Sequence, residues 1–250
     1  MTPAHADPPW FVQVQDLATP WDAQQEYFLE AVDLHPGSRV LDFGCRTGQL
    51  ALAMSKAGHR VTGLDPAPTT LAIATTKAGA DRIRWIVGHS SDIPKYQFDT
   101  VVMSRYFSQF LIASADWAGA LHDIHRSLRP GGRLIFDSRN PDHRVWESWT
   151  RPLTKRDVDL SDGLVATTWT SVSKVQGVAS PLVQYVDHFR LGNHVPVNRK
   201  SAIRFRRPGE ILWPLERAGF IVDRIDTSWD RHGDDGEFIV HAFRADDSEL

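Results

Sequence analysis

The run Arg39-Val-Leu-Asp-Phe-Gly-Cys-Arg-Thr-Gly-Gln-Leu-Ala-Leu52 constrains the fold more than any other stretch, because it reads as a buried strand, a glycine turn and a helix start. Val40 and Leu41 supply the strand, Asp42 closes it, Gly44 and Gly48 frame the turn, and Leu50, Leu52, Ala53 and Ala57 open a helical apolar stripe. A second strand, Arg60 to Asp65, ends on a carboxylate about 20 residues beyond the glycines, the spacing at which an acid reaches a ribose hydroxyl. Strand, glycine turn, helix, strand and acid make one βαβ unit, a nucleotide-binding corner.

Around this corner the apolar periodicity alternates between 3.6 and 2. Helical spacing over Asp22 to Val32 precedes the first strand, with Tyr27, Phe28, Ala31 and Val32 as its apolar face. A helix is expected over Thr69 to Ala78, a third strand over Ile83 to Val87, a loop over Gly88 to Pro94, a fourth strand over Phe98 to Met103 and a helix over Trp117 to Leu128. The turn Arg129 to Gly132 then leads into a fifth strand, Arg133 to Asp137. Strands alternating with helices in this way predict a parallel sheet covered on both faces. From Leu164 to Phe205 the rhythm changes to three β-rich runs, 165–172, 182–190 and 201–205, which read as antiparallel strands added on one side. A helix over Pro208 to Ala218, a strand over Phe220 to Ile225 and a returning strand over Glu237 to Phe243 complete the pattern. Residues 1–9 are Pro-rich and read as irregular, and the acidic tail Asp246 to Glu249 as a solvated end.

The 250 residues suit one α/β domain with an insertion. Lys and Arg total 28 against 31 Asp and Glu, a net charge of -3 that offers no attraction to a phosphate backbone, so nucleic acid is disfavoured as a partner. The single cysteine, Cys45, excludes an intrachain disulfide and a multi-cysteine metal site, and a reducing, cytoplasmic location follows. No stretch is long and apolar enough to span a bilayer, so no membrane association is expected.

A dinucleotide site wants G-x-G-x-x-G, so that a pyrophosphate meets the helix N-terminus. The pattern here is Asp42-x-Gly44-x-Arg46-x-Gly48, with an acid ahead of the first glycine. At this point the chain resembles the class I S-adenosylmethionine (SAM) dependent methyltransferases, from about Val40 to Phe243. Val40 to Gly48 is similar to the family's glycine loop, Val61 to Asp65 to its ribose-binding strand, and Ser90 to Pro94 to its adenine loop. Phe98 to Val102 is similar to the fourth strand, and Leu128 to Leu134 to the turn into the fifth. The resemblance implies an α/β fold with a seven-stranded Rossmann-like sheet in the order 3-2-1-4-5-7-6, strand 7 antiparallel, and an antiparallel β insertion after strand 5. Residues 1–37 form an N-terminal helical and lid segment, and residues 38–250 the SAM-binding domain with the insertion at about 143–206.

The same resemblance implies the cofactor site. Gly44 lacks the Cβ that would obstruct the methionine moiety. Asp65 accepts from the ribose diol, and Pro66 follows it. Asp92 accepts from the adenine amino group while Ile93 packs on the ring, and Ser104 and Arg105 face the amino-acid end of SAM. Asp42, Arg46 and Gly48 belong to the glycine loop. Arg46 departs from the family, which usually has glycine there; with φ above zero an arginine is strained by about 1 to 2 kcal/mol, offset if its guanidinium reaches the SAM carboxylate.

Ligands bind at the carboxyl ends of such strands, so Tyr106, Phe107 and Gln109 after strand 4, Arg139, Asn140, His143 and Trp146 after strand 5, and Trp10 of the N-terminal segment are candidate acceptor contacts. His188, on an insertion strand, is the candidate general base. No metal-ligand cluster stands out among the eleven histidines. The expected activity is metal-independent methyl transfer to N or O of a small molecule, with specialised metabolism as the expected setting; SAM cyclisation, substrate rearrangement and a non-catalytic degenerate fold are the alternatives. The sequence assigns no oligomeric state.

Overall fold

The computed structural model describes residues 8–160 and 163–245. Two helices, α1 (Pro9–Ala18) and α2 (Ala23–Asp33), precede β1 (Arg39–Phe43), α3 (Gln49–Lys56), β2 (Arg60–Asp65), α4 (Pro68–Ala74), β3 (Arg84–Val87) and β4 (Phe98–Met103). Then come α5 (Ser114–Ser127), β5 (Leu128–Arg139), α6 (Arg151–Thr154), β6 (Arg156–Asp159), β7 (Val165–Gln176), β8 (Leu182–Leu191) and β9 (Val197–Arg204). The described chain closes with α7 (Pro208–Arg217), β10 (Phe220–Asp226) and β11 (Glu237–Arg244).

One sheet of seven strands runs β3-β2-β1-β4-β5-β11-β10, the expected 3-2-1-4-5-7-6 order. β11 is antiparallel to both β5 and β10, and the pairs among β1 to β5 are parallel. Alternation along each strand sends Leu41, Phe43, Val101, Met103, Leu134 and Phe136 to one face, against α5 and α7. Val40, Val102, Ile135 and Ile239 go to the other face, where Tyr27, Phe28, Ala31 and Val32 of α2 and Leu50, Ala51 and Met54 of α3 cover them. Asp42 and Asp137 share the parity of this second set, so both strand-terminal acids point toward α2 and α3.

The insertion forms a second, antiparallel sheet in the order β6-β7-β8-β9. On β8, Val183, Tyr185, Asp187 and Phe189 face the main domain: Val183 joins Trp146 and Phe205 in one apolar cluster, and Phe189 joins Phe11 and Val12 of α1 in another. The alternate residues, including His188, face the opposite way.

Several boundaries differ from the sequence reading. Helix α1 begins at Pro9, inside the stretch read as irregular; proline suits the first helical turn, and burial of Phe11, Val12 and Val14 supplies the driving force. Residues 1–7 and the acidic tail lie outside the described residues. Helix α4 ends at Ala74 and not Ala78, because the Thr75 and Thr76 hydroxyls donate back to Ala72 and Ile73 carbonyls. On α3 the buried residues are Leu50, Ala51 and Met54 in place of the stripe through Leu52, Ala53 and Ala57. Strand β6 was not expected, since only Val158 in Arg156-Asp-Val-Asp159 is buried.

Candidate functional site

The glycine turn joins the ends of β1 and β2. Gly44 has φ +80° and donates its N–H to the Leu64 carbonyl at 2.7 Å, while Gly48, at φ +76°, caps the start of α3. A Cβ on Gly44 would overlap the Phe107 ring, so the room that the glycine leaves is filled by an aromatic side chain. Arg46 also has positive φ, +53°, the strained region expected if the turn keeps its glycine geometry. Its N–H donates to Asp65 Oδ2 at 3.0 Å, and the other Asp65 oxygen accepts from the Ala67 N–H at 2.9 Å. Asp65 therefore ties the glycine turn to the start of α4 and is buried, 5% exposed. Pro66 follows it, half-buried.

Asp42 is 1% exposed and neither carboxylate oxygen has a hydrogen-bond partner. Burial, then the neighbouring Asp65, pushes its carboxyl up to about 7, opposed only by the nearby Ala51 N–H dipole in α3. A buried carboxylate without a partner is costly, and a cation beside it removes that cost. SAM carries two cationic groups, a sulfonium and an ammonium, so the donor set at this corner fits it. Arg46 is half-buried as a residue, and its guanidinium is held below the usual arginine range by burial and by Arg105, against the attraction of Asp65.

The other expected cofactor residues are placed as follows. Asp92 is exposed, and its Oδ2 accepts from the His89 N–H at 2.8 Å, capping its own short turn; Ile93 is buried in the main core. Ser104 is buried at the end of β4. Arg105 donates to Asp22 Oδ2 at 2.7 Å, to the Pro20 carbonyl at 3.0 Å and to Gln25 Oε1 at 2.6 Å, so its guanidinium anchors the segment before α2.

After β4, Arg105 and Tyr106 both have positive φ, +57° and +59°. Asp137, fully buried at the end of β5, holds this bend: Oδ1 accepts from the Tyr106 N–H at 2.7 Å, and Oδ2 accepts from Gln24 Nε2 of α2. Burial pushes the Asp137 carboxyl up to about 7. Tyr106 Oη donates to Glu237 Oε1 at 2.9 Å, and the Arg139 guanidinium lies 3.4 Å from the Tyr106 ring centroid. Gln109 is buried and links Arg139 Nη1 (3.3 Å) to the Arg204 carbonyl (3.3 Å). Asn140 Oδ1 accepts from the Asp142 N–H at 3.0 Å, and His143 packs against Gly236 with Nε2 3.7 Å from Asp234. Phe107 packs edge-on to Phe43 at 4.9 Å; Trp146, 7% exposed, packs on Phe205 at 4.5 Å; half-buried Trp10 meets Phe11 at 6.0 Å. Tyr106 and Arg139 therefore come together, while Phe107 and Trp146 are packing residues.

His188 does not reach the cleft. Its ring stacks on Trp169 (4.8 Å, 7°) and bonds Ser171 Oγ at 2.8 Å and Asn198 Oδ1 at 2.7 Å, on the outer face of the second sheet. Period-2 alternation puts Tyr185 and Asp187 inward and His188 outward, which removes its expected role as general base.

Inward from β8, Asp187 Oδ1 accepts from Thr170 Oγ1 at 2.8 Å, and Tyr185 packs edge-on to Trp149 at 5.3 Å. Asp16 of α1 pairs with Lys77 Nζ at 2.6 Å and accepts from Gln49 Nε2 at 3.0 Å and from Thr47 Oγ1, placing α1 against the glycine turn. Asp16, Asp137, Tyr185, Asp187 and Glu237 were missed in the sequence. Asp137 had a signal, since it ends β5 as Asp42 and Asp65 end or close their strands.

Comparison with known proteins agrees with this fold. Residues 41–136 match the family model described as a methyltransferase domain. A malonyl-[acyl-carrier protein] O-methyltransferase of Serratia marcescens is 33% identical over 105 residues, 42% of this chain and 39% of that protein. An uncharacterized methyltransferase of Synechocystis is 30% identical over 149 residues, 56% of this chain and 68% of that protein. The chain thus spans from about two fifths to two thirds of these relatives' length. Among solved structures, the sugar N-methyltransferase KedS8 from Streptoalloteichus superposes with a TM-score of 0.72 at 16% identity, covering 95% of this chain and 93% of that one.

Proposed function

The chain belongs to the class I SAM-dependent methyltransferases, and from that premise we propose that it moves a methyl group from SAM to a nitrogen or oxygen of a small-molecule acceptor. The observation that carries this reading is the corner itself: a glycine turn at positive φ set between Asp42, buried without a partner, and Asp65. Bound there, SAM supplies an electrophilic methyl on a sulfonium. Asp42 neutralises positive charge, Asp65 keeps lone pairs for the ribose diol, and Arg46 stands where an anionic carboxylate can be met. The chain's contribution is chiefly to hold the acceptor in line and exclude water.

In this reading the acceptor binds between the loops after β4 and β5 and the inner face of the second sheet, where Arg139 meets the Tyr106 ring and Trp149 packs on Tyr185. The polar groups of Arg139 and Asp187 beside aromatic Tyr106, Trp149 and Tyr185 suit a small functionalised molecule. The similar proteins include an O-methyltransferase and a sugar N-methyltransferase, in keeping with either attacked atom. The test is product analysis: incubated with SAM labelled in its methyl group and a panel of small amines, sugars and phenols, the enzyme should release S-adenosylhomocysteine and a labelled acceptor. Methylthioadenosine as the product would instead mark cyclisation of SAM.

A further inference from the structure

With His188 turned outward, the histidine expected from the sequence is not placed to receive the proton that an N–H or O–H acceptor loses. Tyr106 and Glu237 meet at the carboxyl ends of β4 and β5 and the start of β11, the edge at which the proposed function seats the acceptor. Tyr106 Oη donates to Glu237 Oε1 at 2.9 Å, while Glu237 Oε2 is buried with no partner. The Arg139 guanidinium covers the Tyr106 ring and fixes its plane. Asp137 fixes the Tyr106 backbone from below. A phenol whose proton already points at a carboxylate presents its lone pairs to anything beside it.

We propose that Tyr106 and Glu237 form the proton-accepting pair of this site, with Tyr106 touching the acceptor and Glu237 acting through it; this rests on the methyltransferase reading. As the acceptor's lone pair bonds the methyl carbon, the carbon–sulfur bond breaks and its electron pair stays on sulfur. The acceptor's proton passes to Tyr106 Oη, the original Tyr106 proton passes to Glu237 Oε1, and Glu237 later returns it to water. The pair works only when Glu237 starts ionised. Burial holds its carboxyl up to about 8, with Asp137 and Asp235 raising it and the Tyr106 hydroxyl and Arg139 lowering it. His143 packs on Gly236, the residue before Glu237, and lies 3.7 Å from Asp234, while α2 contributes the uncharged Gln24 on Asp137. Turnover should therefore climb as pH rises through about 8.

The first experiment needs no acceptor. With four tyrosines in the chain, labelling at Cζ with carbon-13 gives four signals, and Tyr106→Phe assigns one of them. The Tyr106 signal should step with a midpoint near pH 8, and Glu237→Gln should abolish the step. No step between pH 6 and 10, or a step that persists in Glu237→Gln, overturns the pair. Calorimetry with SAM on the same variants separates the two readings: affinity within about twofold of the parent keeps the corner intact, whereas absent binding in the parent strikes at the methyltransferase reading instead. With any acceptor that is turned over, kcat of Glu237→Gln should fall about 100-fold and lose its rise near pH 8 while KM holds. An unchanged kcat–pH profile in Glu237→Gln would overturn the inference.

Discussion

The backbone N–H of Arg46 donates to Asp65 Oδ2 at 3.0 Å, so the residue that departs from the family pattern is hydrogen-bonded to the acid placed for the ribose. The bond secures the turn, yet it does not require an arginine. Positive φ strains any side chain at this position by about 1 to 2 kcal/mol. Arg46→Gly should keep the backbone bond, raise the melting temperature, and lose the contact of the guanidinium with a bound carboxylate. SAM affinity should drop by about 1 kcal/mol, roughly fivefold, measured by calorimetry. Tenfold tighter binding would make Arg46 an obstruction.

Asp16 fastens α1 over the glycine turn through Lys77, Gln49 and Thr47. Asp16→Asn removes the charge from all three contacts, at a cost of about 1 to 3 kcal/mol. Amide hydrogen exchange over residues 9–18 should accelerate, and SAM affinity should weaken with it. Unchanged exchange would show that Phe11 and Phe189, packed at 4.0 Å, hold the helix alone.

The buried acids give stability a definite pH dependence. Asp42 and Asp137 are pushed up to about 7 and Glu237 to about 8, from ordinary values of 3.8 and 4.5. Between pH 6.5 and 8 the folded chain holds protons that the unfolded chain has released, so stability falls as pH rises through that window. His241, held down to about 4 from an ordinary 6.5, is neutral in the folded chain but about half protonated at pH 6.5 in the unfolded one, so it opposes this fall only at the bottom of the window and is outweighed by the three acids. Urea unfolding should show lower stability at pH 8 than at pH 6.5, with a shallower decline in Asp42→Asn; a flat or rising profile would contradict these assignments.

The main sheet was legible because its order follows from the glycine turn, the strand-terminal acids and the alternating periodicities, all local patterns. The placement of Asp42, Gly44 and Asp65 at the strand ends and in the turn was legible for the same reason. What failed was tertiary. His188 needed the face of its strand, which depends on register with Trp169 and Asn198. Arg105 needed Asp22, 83 residues earlier, and Glu237 needed Tyr106, 131 residues earlier. Phe107 was read as a wall but packs on Gly44, since an aromatic after a strand carries no mark of which cavity it fills.

His188→Ala should leave kcat and SAM affinity within about twofold of the parent, because it removes only the stack on Trp169 and two bonds on the outer face. A loss of kcat above about 100-fold in a folded variant would restore it as a base.

Titration calorimetry of the purified chain with SAM and with S-adenosylhomocysteine, beside Asp65→Ala, bears most directly on the functional reading. Both ligands should bind the parent, and the variant should bind about 10- to 100-fold more weakly, the loss of a charged hydrogen-bonding group costing roughly 1.5 to 3 kcal/mol. No heat with either ligand in the parent, or unchanged affinity in a folded Asp65→Ala, would contradict it.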